Sequence, residues 1–134
     1  MTTPRAVPDP PSGDAPPELG DGIRLFNEAR WFEAHEVLER AWLAEPGPLR
    51  NLYQGILQVG VGLHHARRGN VAGGLRLLDR GMSRLGPFEP HRLGVDVTRL
   101  VRDAATARRH LATPSGAETF DWEHPPRVHM VPER

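Results

Sequence analysis

The chain has 134 residues, of which 38% are apolar, and it carries 17 basic and 17 acidic side chains with no cysteine. That length holds one domain with a modest core. Balanced charge excludes attachment to nucleic acid or an anionic membrane through the overall field, and the lack of cysteine excludes disulfides and thiolate metal sites.

Residues 1–16 are rich in proline and polar side chains and read as a disordered lead. Neither a secretory leader nor a membrane-spanning run is visible, so a cytoplasmic location without membrane contact is the expectation. A first helix is predicted from Pro17 or Glu18 to about Glu28, with Ile23, Leu25 and Phe26 inward. A second runs from about Phe32 to Glu45 and stops at Glu45-Pro46-Gly47-Pro48.

The third helix, about Leu49 to Arg68, has no charged residue between Arg50 and Arg67 and is therefore expected to be central. Gly69-Asn70 ends it with residues that tolerate left-handed geometry. A fourth helix follows from about Val71 to Leu85, and Gly86-Pro87 stops it. After a loop through Pro90, a fifth helix from about Asp96 to Leu111 is expected to cap the stack. Residues 113–134 return to proline and glycine. Phe120, Trp122, Val128, Met130 and Val131 nevertheless make part of this tail apolar enough to lie extended across the helices.

The stretch Arg30 to Pro46 carries most of the chemical information. At about 100° per residue, Glu33, Glu36 and Arg40 form a solvated face, whereas His35 and Glu39 fall among Trp31, Leu38, Trp42, Phe32 and Leu43. A carboxylate enclosed by such neighbours is costly unless partnered. On the third helix, Asn51, Gln54 and His65 lie within about 40° of Gln58, a polar stripe bordered by Gly55 and Gly62. Two stripes facing each other would lower their desolvation cost, so His35 and Glu39 are expected to meet Gln54, Gln58 and His65 in a buried polar pocket.

Three readings of that pocket stand side by side. It is a hydrogen-bond network that fixes helix register, or a metal site, or a metal-free acid–base pair of Glu39 and His35. In the metal reading His35, Glu39 and His65 are the ligands of zinc, iron or manganese, and Gln54, Gln58 and Trp42 line the site for a small polar ligand. His64 reads as a core histidine. Arg76, Arg80 and Arg84, with Arg67 and Arg68, read as a solvated basic ridge rather than a nucleic-acid surface.

An internal repeat underlies these elements. Trp31, Ala34, Leu38, Glu39, Arg40, Ala41 and Trp42 align forty residues later with Val71, Gly74, Leu78, Asp79, Arg80, Gly81 and Met82, while His35 is answered by Leu75. The pattern resembles tetratricopeptide-type hairpins. The runs AHEVLERAW, YQGILQVGVGLHHARRGN, GLRLLDRG and GVDV, over about residues 20–111, closely resemble the bacterial and archaeal family called domain of unknown function 309. The resemblance implies a His-x3-Glu-x2-Trp motif with a suggested metal-binding role, falling on His35, Glu39 and Trp42.

The expected architecture is therefore all-α with about five helices, arranged as two tandem tetratricopeptide-like hairpins plus a capping helix. Residues 17–112 would form the domain, between a lead at 1–16 and a tail at 113–134. The alternative to a ligand site is a scaffold for a protein or peptide, or for a second copy of the chain.

Overall fold

The computed structural model describes residues 15–132, so the disorder expected of residues 1–14 lies outside the described residues. The fold is all-α: α1 (Pro17–Asn27), α2 (Trp31–Ala44), α3 (Arg50–Arg67), α4 (Val71–Leu85) and α5 (Val97–Leu111), with a four-residue α6 (Gly116–Thr119). Each long helix packs on the next, α1 on α2, α2 on α3, α3 on α4 and α4 on α5, and α3–α4 is the most extensive contact.

Local sequence explains where the helices begin and turn. Pro17 opens α1, where a missing N–H costs nothing, and Glu18 sits in its first turn. The α1–α2 turn passes through Ala29 at φ 60°, and the α3–α4 turn through Gly69 at φ 96°. Asn70 then caps α4 by accepting a hydrogen bond from the Gly73 N–H, and Asp96 caps α5 by accepting one from the Arg99 N–H.

Burial follows the helical period. On α2 the enclosed residues are Trp31, Ala34, Leu38 and Ala41, one stripe of an otherwise half-covered helix. On α3 ten of eighteen residues are buried, as expected of a central helix. The forty-residue repeat has a structural counterpart: Leu38 fills the space above Gly22, and Leu78 fills that above Gly62.

The connection between α4 and α5 is more structured than a loop. A 3-10 turn at Gly86–Phe88 leads to a hairpin of β1 (His91–Arg92) and β2 (Val95–Asp96), paired antiparallel with Arg92 opposite Val95. Leu93 and Gly94, both at positive φ, form the two-residue turn whose twist suits a hairpin. Val95 also bridges to Met130, which brings the C-terminal segment alongside.

That segment lies across the helices. Val128 is buried, and its N–H and carbonyl both hydrogen-bond the Asn27 side-chain amide, at 2.8 and 2.9 Å. Trp122 meets Trp31 edge-on at 6.2 Å between centroids, and Trp31 also receives Phe26 at 6.5 Å and the Arg67 guanidinium at 4.4 Å.

One expectation is corrected here. The glycine-bordered stripe of α3 faces α4 rather than α2. A Cβ on Gly55 would meet Leu85 and the Gly81 carbonyl, and one on Gly62 would meet the Gly74 carbonyl and Leu78. Glycines at 55 and 62 thus oppose glycines at 81 and 74, so the two backbones approach where neither helix has a side chain.

Candidate functional site

The predicted buried polar pocket is not formed: among the described residues the buried class contains no polar or charged side chain apart from Tyr53. His35, Glu39, Gln54, Gln58, His65 and Trp42 are all half-buried. The physical reason is the one that made a buried carboxylate suspect, since groups without a full set of partners stay at the edge of the core, where water reaches them.

Two of the three α3 amides, Asn51 and Gln58, are engaged by α4. Arg84 donates from Nε to Gln58 Oε1 at 3.1 Å and from Nη1 to Asn51 Oδ1 at 2.7 Å. These bonds take Gln58 away from the α2 side on which His35 and Glu39 sit.

At the α2–α3 surface the organising side chain is Phe32, expected to help enclose His35 and Glu39 but found exposed. Its ring lies 6.0 Å from that of His35 on its own helix and 5.9 Å from that of His64 on α3. His65 follows at 5.9 Å from His64. Across this contact His35 is therefore answered, through Phe32, by His64. The Nδ1 atoms of His35 and His64 are closed off from solvent and hydrogen-bond no other described residue.

Burial, reinforced by the positive charge of Arg67 and Arg68, holds the His64 pKa below its ordinary value, which favours the uncharged ring. A neutral imidazole packs against a phenyl ring without stranding a charge.

The same face of α2 continues beyond the imidazoles. Phe32 is 55% exposed and Leu43 67% exposed, far above the other large apolar side chains of the helix. At about 100° per residue, Glu39, Phe32, Leu43 and Glu36 fall within about 60° of arc. Trp42 borders this strip, with the Arg50 guanidinium 5.9 Å from its ring centroid.

The residues that would hold a metal can be tested directly. Among the described residues, Asp121, Glu123 and His124 are the group of three or more His, Asp or Glu donors that come within 4.8 Å of one another, and all three are exposed. There His124 Nδ1 and Asp121 Oδ2 are 2.9 Å apart, a contact that holds the Asp121 pKa below the usual carboxylate range. His35, Glu39 and His65 do not gather in this way, so as placed they do not fit a shared ion.

Taken together, these features define a small protein of consecutive helical hairpins whose polar motif residues lie at a surface. Residues 19–77 match the family model described as Domain of unknown function (DUF309), and the resemblance to that family holds over this stretch. Over 60 residues the chain is 42% identical to the uncharacterized protein YpuF of Bacillus subtilis (strain 168). That match covers 43% of this chain and 34% of the relative, so the chain spans about a third of that protein's length.

Among the described residues no helix is long and apolar enough to cross a membrane.

Proposed function

We propose that the protein is a cytoplasmic helical-hairpin scaffold of tetratricopeptide-like design that binds a peptide segment of a partner protein along α2. The observation that carries this reading is the exposure of Phe32 and Leu43 on one azimuth of that helix. Eleven residues apart, they stand about 16 Å from each other. Glu36 and Glu39 lie between them and form no ion pair with another described residue.

The surface therefore suits a segment with two apolar anchors and an Arg or Lys between them, the anchors supplying burial and the cation supplying orientation. His35 and the neutral His64 form the walls of the Phe32 anchor point.

The test is selection of peptides from a random display library on the full-length protein and on a Phe32→Ser/Leu43→Ser variant. The expected outcome is enrichment of segments with two separated apolar residues around a basic one, and loss of their binding on the variant. Enrichment that survives both substitutions overturns the proposal. So does sedimentation showing a dimer that the variant abolishes, because a second copy of the chain would then occupy the face.

The second reading is a divalent ion on His35 and Glu39, one helical turn apart, without His65 as a ligand. What favours it is the four-residue spacing, which puts an imidazole and a carboxylate on one face of α2. Metal analysis of the purified protein beside a His35→Ala variant decides it. Stoichiometric metal lost on substitution supports the ion, and none after supplementation removes it.

A further inference from the structure

On the α4 side of the molecule a cleft of about 760 Å³ is lined by Pro48, Asn51, Arg80, Ser83, Arg84, Pro87, Phe88 and Arg92. Three of these are arginines and none is acidic. The arginines come from two elements: Arg80 and Arg84 one turn apart on α4, and Arg92 from β1, its guanidinium 5.4 Å from the Phe88 ring centroid.

The decisive feature is how Arg84 is held. Its two intramolecular partners, the oxygens of Gln58 and Asn51, are neutral amides. Amide acceptors fix a guanidinium in direction as a carboxylate would, but they leave its full positive charge uncancelled. The two bonds also use only part of its five N–H donors. Carboxylates elsewhere follow the opposite pattern: Asp79 is taken by Arg108, Glu33 and Glu28 by Arg30, and Asp103 by Arg99. No such ion pair joins Arg80 or Arg84 to a described carboxylate.

A preoriented, half-buried cation such as Arg84, facing a cleft whose described lining holds no carboxylate, suits an anion.

We propose that this cleft binds a phosphorylated small molecule, with Arg84 and Arg80 on the phosphate oxygens, the Ser83 hydroxyl beside them, and Pro48 and Pro87 against the organic remainder. Guanidinium forks match the spread of oxygens and double charge of a phosphate monoester better than those of a single carboxylate. The cleft volume is that of a small-ligand site. Long nucleic acid is disfavoured by the zero net charge of the chain and by Phe88, the lining aromatic, being buried rather than open for base stacking.

The experiment is calorimetric titration of the full chain with ribose 5-phosphate and with pyrophosphate, using ribose, citrate and sodium chloride at matched ionic strength as comparison solutes. Binding of both phosphates and none of ribose is expected. Arg80→Gln and Arg84→Met should each weaken it about tenfold or more, the scale of one lost charge-assisted contact, and Arg76→Gln, exposed on α4 outside the cleft, should leave it unchanged. Arg80 is exposed and forms none of the α3–α4 bonds, so its substitution reads binding without disturbing the fold.

Phosphate binding undiminished in Arg80→Gln, heats reproduced by chloride, or citrate binding in place of ribose 5-phosphate would each overturn the assignment. Displacement of ribose 5-phosphate by a single-stranded oligonucleotide at lower concentration would likewise overturn it, in favour of a nucleic-acid surface.

Discussion

In the α1–α2 hairpin the left-handed residue that turns the chain is Ala29, and Arg30, at the N-cap position of the next helix, gives it no side-chain cap. Forty residues on, in α3–α4, the same two positions hold Gly69 and Asn70, and Asn70 caps its helix. The contrast continues along the interface. Ala34 and Ala41 keep their methyl groups in the first hairpin, whereas Gly74 and Gly81 let α4 come against the α3 backbone in the second.

The second hairpin is thus the better-finished copy, with a relaxed turn, a capped helix and a glycine-on-glycine crossing. The first carries the unusual chemistry. Leu75 and Asp79, the second copy's counterparts of His35 and Glu39, are a hydrophobe packed against the core and a carboxylate held by Arg108. Among the described residues Glu39 has no such ion pair, and His35 packs on the exposed Phe32 instead of the core. Local conflict with the repeat falls where the apolar surface of α2 is exposed.

The largest effects should come from the residues both hairpins share. Leu38→Ala and Leu78→Ala each empty a fully buried site and should each cost about 2–5 kcal/mol by chemical denaturation. A cost below about 1 kcal/mol for either would break the equivalence of the two copies.

Exchanging the small residues comes next. Gly74→Ala places a Cβ 2.6 Å from the Gly62 carbonyl oxygen and should destabilise by about 1–3 kcal/mol, although alanine is the better helix former. The reverse exchange, Ala34→Gly, should cost only about 1 kcal/mol, mostly from helix propensity.

At the turns the sign reverses between copies. Ala29→Gly should stabilise the protein by up to about 1 kcal/mol by relieving a left-handed alanine, and Gly69→Ala should destabilise it by a similar amount. Thermal melts of the two variants beside the wild type read both signs.

The smallest effect is a pH dependence peculiar to His64, whose counterpart forty residues earlier in the first copy is Arg24. The folded protein holds His64 below its ordinary pKa of 6.5, so the unfolded chain takes up its proton first. Its contribution is complete above that value and is lost as pH falls through it towards the folded pKa. His64→Gln should therefore lose less stability than wild type between about pH 7 and pH 5. Parallel curves for the two proteins would show that the proton is taken up elsewhere.

Much of this fold was legible in the sequence. Helical periodicity and the Glu45-Pro46-Gly47-Pro48 and Gly69-Asn70 breaks placed five helices within a residue or two of their ends, and the forty-residue repeat anticipated the pairing of Leu38 with Leu78 as equivalents. The side of α3 that meets each neighbour was not legible from its own wheel, because a central helix has neighbours on more than one side. The missing signal lay on α4: Gly74 and Gly81 have the same seven-residue spacing as Gly55 and Gly62, and matched small-residue spacings on adjacent helices mark a close crossing. The two-residue strands were too short for any alternation to announce, although Leu93-Gly94 held the turn. Phe32 and Leu43, expected to enclose His35 and Glu39, stand exposed because periodicity alone does not give which flank of α2 the folded chain leaves uncovered.

The Asn27 amide that receives Val128 has a mechanical consequence. Chains built of successive hairpins ordinarily fray from their outer units, because each unit touches only its neighbours. Here one side chain at the end of α1 clasps backbone 101 residues away, and Trp122 seats on Trp31 beside it. The first helix cannot loosen without releasing the last segment, so the Val128 amide proton should exchange with solvent only as slowly as the whole molecule opens.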